Sequence, residues 1–314
     1  MVHVQIDIQE LEKGLDIAFS KNLRVDINSG FKDDITGFKE KIILLAKTGR
    51  YNKLKKVLLT SKDRIEFNSR VFEVCFAYDF ESKGIPLEYE INLLKNSKDT
   101  IDFLYTTKKG MRICFELHQS NQRQALTDSI KKQLNSRGMY EIVLDGQDEQ
   151  NKIIRLQNIV LSKCQDKNGK PRKFTKGIDI YNIIVIYVSG EIDGHFDKFD
   201  CMLTMYGDPS VPVWAKRNIF GLCQQLPDNA PEQLKLCHEK FEHFNETING
   251  VLFVKNASHP ACYGDLILDL DLEYFLVGNN KLVDADTDKF REICVELQEV
   301  LKSWTEVKVS AGCF

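Results

Sequence analysis

The chain has 314 residues, of which 43% are hydrophobic and 28% are charged, and its formal net charge at pH 7 is only -3. This composition is typical of a globular protein with an ample core, and it argues against proteins that coat nucleic acid through overall basicity. The nine cysteines include no CxxC pair, no apolar run reaches the length of a membrane span and no signal sequence is present, so we expect a cytoplasmic protein with no membrane partner.

The first 60 residues are predicted to form a helical segment. Apolar residues recur with helical spacing over three stretches, residues 8–19, 36–47 and 52–59. We therefore assign residues 1–60 to an N-terminal helical accessory segment and residues 61–314 to one α/β domain. Lysines are frequent in this segment, and two interpretations stay open: a basic face that holds a nucleic-acid backbone, or an ordinary solvated surface.

A longer helix is predicted over residues 62–81. Its apolar residues cover more than one face, which indicates that the helix is well buried. Glu73 lies inside this apolar stretch, where an ionised carboxylate is costly unless a positive partner compensates. Two partners stay open at this point, a metal ion or an arginine such as Arg70.

Three short strands are predicted next. Apolar and polar residues alternate over residues 87–93, 101–106 and 112–118. A three-residue loop with Gly110 in the left-handed conformation would join the last two strands and would pair Thr107 with Met111. This register places Asp102 directly opposite Glu116.

Two carboxylates that face each other on neighbouring strands are destabilising, which suggests that positive charge lies between them. A divalent cation is the simplest candidate. Asp102, Glu116 and the backbone carbonyl of Leu117 are oxygen groups of the kind that a Mg²⁺ shell takes. The alternative is a register shifted by one residue, which would put the two carboxylates on opposite faces of the sheet.

The remainder of the chain predicts further strands and helices. Helical patterns cover residues 125–135, 151–163 and 287–303, and strand patterns cover residues 140–144, 180–188, 251–255 and 272–277. The run 180–188 is continuously apolar, which favours a central strand covered on both faces. The basic loop 165–173 is either a clamp for a phosphate backbone or a solvated loop. The predicted fold class is α/β (α+β), with a mixed central β-sheet flanked by helices.

The strings Ile101-Asp102-Phe103 and Cys114-Phe115-Glu116-Leu117-His118 resemble the core motif of the PD-(D/E)xK nuclease superfamily, whose fold is restriction-endonuclease-like. In that family an Asp on the second core strand and an (Asp/Glu)-x-Lys on the third bind Mg²⁺ and cut phosphodiester bonds. The resemblance assigns these carboxylates to Asp102 and Glu116 and implies a Mg²⁺ or Mn²⁺ cofactor. In some members the helix before the strands adds a Glu to the metal site, which points to Glu73.

The resemblance covers residues 62–145, where three strands, a helix and a fourth strand follow in the order that the family's core requires. Residues 175–314 would extend the same sheet. The chain departs from the motif at its lysine, which is replaced by His118. We expect the pKa of His118 to lie above its usual value of about 6.5, because two carboxylates stand beside it. Arg123, near the start of the following helix, is the alternative source of positive charge.

These observations predict a metal-dependent nuclease whose partner is nucleic acid, DNA rather than RNA, with a role in defence or repair suggested by the resemblance alone. The predicted catalytic residues are Asp102, Glu116, His118 and Arg123. The predicted metal ligands are Asp102, Glu116, Leu117 and Glu73. A homodimer is left open. The alternative function is a nuclease-like fold that has lost catalysis and serves as a module that binds nucleic acid or protein.

Overall fold

The computed structural model of the chain describes most of its residues. They are residues 7–23, 32–94, 99–120, 124–139, 146–166, 168–188, 196–208, 221–224, 226, 228–239, 241–256, 272–283, 285–301 and 304–307. No helix within these ranges is both long enough and apolar enough to cross a membrane.

The described residues contain a seven-stranded mixed sheet in which the strands lie in the order of the sequence. The strands are β1 (Glu88–Ile91), β2 (Ile101–Thr106), β3 (Arg112–Gln119), β4 (Ile180–Tyr187), β5 (Gly250–Asn256), β6 (Leu272–Gly278) and β7 (Trp304–Val307). Strands β1, β2 and β3 form an antiparallel meander, and β3, β4 and β5 run parallel to one another. Strand β6 is antiparallel to β5, and β7 is parallel to β6. The predicted mixed sheet of the α/β class is confirmed.

Helices precede the sheet, connect its strands and follow it. They are α1 (Ile8–Leu23), α2 (Lys32–Thr48), α3 (Asn52–Thr60), α4 (Arg64–Glu81), α5 (Gln124–Arg137), α6 (Gly146–Cys164), α7 (Lys198–Tyr206), α8 (Glu232–Glu239), α9 (Glu242–Thr247), α10 (Asn280–Val283) and α11 (Thr287–Val300). The helices predicted before residue 82 are confirmed, and α6 begins five residues before the predicted start. Asp63 begins α4 as its N-cap, because its side chain accepts a hydrogen bond from the backbone N–H of Glu66.

One face of the sheet is covered by α4 and by the three N-terminal helices. Phe19 of α1 packs edge-on against Phe38 of α2 and Phe67 of α4, with ring centroids 5.5 and 5.4 Å apart. Phe76 of α4 then packs against Phe115 of β3, with centroids 5.2 Å apart. The helices of the first 60 residues therefore share one continuous hydrophobic core with α4 and the sheet.

The opposite face is covered by α6, α7 and α9. Alternate residues of β4 point to this side, and they pack with apolar residues of these helices, including Val160, Cys201 and Phe244. Every residue of β4 is buried, so the prediction of a central strand covered on both faces is confirmed.

The predicted strand at residues 140–144 lies outside the described residues. Both edges of β3 are occupied by β2 and β4, so the strand that follows β3 in the sheet is β4. The connection from β3 to β4 includes α5 and α6, which agrees with the long crossover that a parallel pair requires.

Candidate functional site

The hairpin between β2 and β3 has the predicted register. The backbone N–H of Thr107 donates to the carbonyl of Met111 at 2.8 Å, and Gly110 has a φ of 86°. Phe103 pairs with Phe115, so the next position along places Asp102 opposite Glu116. The alternative of a register shifted by one residue is wrong.

Asp102 and Glu116 are held in a largely buried setting. The backbone N–H of Leu117 donates to Asp102 Oδ2 at 2.6 Å, which fixes the orientation of that carboxylate. Burial raises the pKa of Asp102 well above its usual value, and the neighbouring carboxylates Glu116 and Glu73 raise it further. Glu116 is only 1% exposed, and its Oε2 atom is buried with no hydrogen-bond partner. An acceptor in this state is costly to bury, and Oε2 keeps the capacity to accept from a further donor or a cation.

Two lysines reach Glu116 from the connection between β3 and β4. Lys163, in the last turn of α6, places its Nζ 3.1 Å from Glu116 Oε1 and 3.3 Å from the carbonyl oxygen of Leu117. Lys173 places its Nζ 2.5 Å from the same Oε1 atom. We call Asp102, Glu116, Lys163 and Lys173 the carboxylate–lysine cluster. Positive charge does lie beside the facing carboxylates, and the chain itself supplies it.

Lys173 is held in an unusual backbone conformation. The N–H of Phe174 donates to the carbonyl of Arg172 at 2.6 Å, and Lys173 between them has a φ of 60°. A three-residue turn with positive φ at its centre is rare and strained for a residue other than glycine. The preceding loop folds back on the end of α6, because Arg172 donates to the carbonyl of Cys164 and Gln165 pairs with Pro171. This loop therefore delivers the Lys173 side chain to Glu116.

Glu73 has the arginine partner that the sequence left open. Arg70 Nη1 lies 2.6 Å from one carboxylate oxygen of Glu73, and the hydroxyl of Tyr89 donates to the other at 2.8 Å. Burial raises the pKa of Glu73, while Arg70 and Tyr89 oppose the shift and the charge of Glu116 adds to it. Both oxygens of Glu73 accept hydrogen bonds, so Glu73 adjoins the cluster as a paired acid. Its role as a metal ligand stays a prediction.

The expectation for His118 is wrong in direction. Burial lowers the pKa of His118 to about 4, and the positive charges of Lys163 and Lys173 lower it further. His118 is therefore neutral near pH 7 and does not replace the lysine of the motif as a cation.

The remaining predicted site residues are Arg123 and Leu117. Arg123 lies outside the described residues. The carbonyl of Leu117 accepts a hydrogen bond from Lys163, and its role as a metal ligand stays a prediction. Neither Lys163 nor Lys173 was predicted, since they lie 47 and 57 residues from Glu116 in the chain. The only sequence signal for Lys173 was its place in the basic loop.

The donor set fits a small hard cation. Carboxylate and carbonyl oxygens suit Mg²⁺, which binds one or two carboxylates and keeps several waters. The Oε2 atom of Glu116 has no hydrogen-bond partner and keeps its capacity to accept. Within the described ranges, no group of three or more His, Cys, Asp or Glu side chains is arranged to hold a metal ion, so a shell here would rely on water and substrate oxygens.

No protein-family model, curated protein or solved structure matches this chain.

Proposed function

We propose that this protein is a Mg²⁺- or Mn²⁺-dependent nuclease that hydrolyses phosphodiester bonds, with DNA as the preferred substrate over RNA. The observation that carries the proposal is the carboxylate–lysine cluster itself. Its Glu116 has one buried oxygen without a partner, faces Asp102 across the hairpin and holds an ammonium group on its other oxygen. Two carboxylates can hold a metal ion that assists phosphodiester hydrolysis, and a lysine beside them can offset negative charge on the phosphate.

The fold order supports a restriction-endonuclease-like core. A helix, α4, precedes three antiparallel strands, and helices then lead to β4, which is parallel to β3. Asp102 lies on the second strand and Glu116 on the third, as in the motif that the sequence resembles. The proposed core therefore includes α4, the β1–β3 meander, the α5–α6 crossover and β4.

Each residue of the cluster has a proposed role. Asp102, Glu116 and the carbonyl of Leu117 would hold the metal ion, which when bound polarises a phosphoryl oxygen and lowers the pKa of a bound water. Lys173, and not His118, takes the role of the motif's lysine, because its ammonium group contacts Glu116. There it offsets negative charge on the phosphate in a site where burial strengthens electrostatic interactions.

Positive charge around the cluster can attract a phosphate backbone even though the protein as a whole is slightly acidic. The loop that carries Lys173 also exposes Lys170, and Arg172 lies 3.4 Å from Asp99 in a partly exposed ion pair. A basic segment that reaches a buried acidic site suits a nucleic-acid chain better than a small neutral substrate.

Cleavage assays with matched variants test the proposal. The wild-type protein is incubated with supercoiled plasmid, single-stranded DNA and RNA in Mg²⁺ or Mn²⁺, and Asp102→Asn and Glu116→Gln are compared with Glu88→Gln, an exposed acid on β1 outside the cluster. We expect the first two variants to lose about a thousandfold or more in rate, the scale of removing a main electrostatic contribution to catalysis, and the control to keep wild-type activity. A wild-type protein that cuts none of these substrates in either metal would refute the proposal.

One observation favours a second candidate function. The acids Glu73, Asp102 and Glu116 adjoin three basic groups, Arg70, Lys163 and Lys173, so the cluster is balanced without a metal. Such a closed network suits a nuclease-like fold that binds without cutting. Filter-binding measurements on the same substrates separate the two functions, because the module would bind DNA with unchanged affinity in EDTA and would leave it intact.

A further inference from the structure

The ammonium group of Lys163 occupies a distinctive position in the cluster. Its Nζ contacts Glu116 Oε1 at 3.1 Å and the carbonyl oxygen of Leu117 at 3.3 Å. These are two of the three groups that the proposed function assigns to the metal ion. The third group, Asp102, is fixed on the neighbouring strand by the N–H of Leu117.

We infer that Lys163 is a built-in counter-ion at the metal position, and that a divalent cation displaces its side chain when it binds. The inference rests on the proposed function. Lys163 contacts the carbonyl oxygen of Leu117, a contact that no hydrogen bond of Lys173 duplicates. An ammonium and a divalent cation that share this oxygen repel each other, so both cannot stay in contact with Leu117 O. Binding of the metal therefore requires Lys163 to leave.

The two lysines differ in how readily they can move. Lys173 makes the shorter contact to Glu116, and its backbone is held in the positive-φ turn between Arg172 and Phe174. Lys163 extends from the last turn of a regular helix on a flexible four-carbon stem. The two lysine side chains are about equally exposed, 21% for Lys163 and 19% for Lys173, so the difference lies in the backbone. The head group of Lys163 can turn toward solvent without a change of backbone. Lys163 is thus the displaceable lysine, and Lys173 is the one that stays.

This arrangement has a consequence for the metal-free protein. Without a cation the buried carboxylate of Glu116 would lack much of its compensation, which is strongly unfavourable. Lys163 supplies positive charge in that state, and the same contact makes metal binding a competition. Lys163 is therefore a positioning residue that sets the cation concentration at which the site becomes occupied.

Titration calorimetry with Mn²⁺ tests this competition without measuring catalysis. Lys163→Met and Lys173→Met form a matched pair, because each removes one ammonium from the same oxygen of Glu116. We expect Lys163→Met to bind Mn²⁺ about tenfold more tightly than wild type, the factor that one charge-assisted hydrogen bond represents. Lys173→Met should gain clearly less. Equal gains in both variants, or no gain in Lys163→Met, would overturn the inference.

A second measurement uses the wild-type protein, in case Lys163→Met does not fold. Brief treatment with an amine-acylating reagent, followed by mass spectrometry, reports how accessible each lysine is. Saturating Mg²⁺ should raise acylation of Lys163 at least about threefold relative to the exposed Lys170, as a displaced side chain gains solvent. If Mn²⁺ or Mg²⁺ binds and the ratio of Lys163 to Lys170 acylation does not change, the inference is overturned and the proposed function is not. A protein that binds neither cation overturns the inference and the proposed function together.

Discussion

The acid Asp102 carries a cost in stability that follows from its place in the cluster. Burial, Glu116 and Glu73 all raise its pKa well above the usual 3.8. The folded protein therefore keeps the Asp102 proton to higher pH than the unfolded chain does. The stabilisation associated with this proton is full below about pH 3.8 and is lost as the pH rises through the folded pKa.

Asp102→Asn should consequently stabilise the protein at pH 7 while it removes activity. The amide keeps the shape of the side chain and an oxygen that can accept from Leu117, and it removes the cost of ionising a buried carboxyl group as the pH rises. We expect the free energy of unfolding at pH 7 to rise by about 1 kcal/mol, the scale of other single stabilising substitutions. Urea unfolding at pH 5 and pH 8 should show the gain growing with pH. A variant that is less stable than wild type at pH 8 would contradict the assigned environment.

His118 affects stability in the opposite direction. Its folded pKa of about 4 lies below the unfolded value of 6.5, so the folded protein binds fewer protons between these values. The contribution of neutral His118 is full above pH 6.5 and is lost as the pH falls toward 4, an effect of up to about 3 kcal/mol. His118→Gln should lose less stability than wild type between pH 7 and pH 4.5 in the same urea assay. Equal losses would show that His118 is not buried beside the lysines.

The carboxylates of the site could be predicted from sequence because their pairing is local. A turn with Gly110 at its left-handed position sets the register, and that register puts Asp102 opposite Glu116. The lysines could not be predicted, since the β3-to-β4 crossover brings them back from 47 and 57 residues away. The pKa of His118 was misjudged for the same reason.

At the scale of elements, Glu81 joins three segments at the end of α4. Its carboxylate accepts hydrogen bonds from the hydroxyl of Tyr51 at 2.6 Å and from the N–H of Leu87 at 3.2 Å. Arg50 pairs with the same carboxylate, whose side chain is only 4% exposed. This contact links the start of α3 and the entry to β1 to the helix that carries Glu73.

Arg50→Met tests how strongly this contact holds the N-terminal helices to the core. The change leaves a buried carboxylate without its cation, and we expect a loss of about 2 kcal/mol, between the values for exposed and buried pairs. Arg291→Met is the control, because Arg291 pairs with Asp288 on the surface, where both side chains are mostly exposed. The control should change stability by less than about 0.5 kcal/mol. Equal effects in the two variants would show that the Glu81 contact is unimportant.

The elements themselves were predicted to different degrees. The apolar run of β4 and the buried helix α4 have strong patterns, and both were found close to their predicted limits. The early start of α6 was missed, because residues 146–150 are polar and show no helical periodicity. A helix that begins at a glycine, as α6 does at Gly146, cannot be recognised from the spacing of apolar residues.

At the scale of the whole molecule, one sheet joins the predicted core to the later strands. Strand β4 pairs with both β3 and β5, so the strands after residue 175 continue the sheet that carries the site. The helices before residue 61 pack into the same core through Phe19 and Phe38. The two carboxylates of the cluster, Asp102 and Glu116, thus lie on strands with neighbours on both sides, which makes their geometry rigid.

The central claim is that Asp102 and Glu116 hold a divalent cation, and anomalous diffraction from crystals soaked in Mn²⁺ tests it most directly. The account predicts a Mn²⁺ peak at coordination distance from both carboxylates, about 2.0–2.2 Å as for similar hard cations, with Lys163 turned away and Lys173 still near Glu116. Soaking Glu116→Gln crystals is the control, and the peak should be absent from them. A wild-type map without Mn²⁺ between the carboxylates at saturating concentration, with both lysines still on Glu116, would contradict the account.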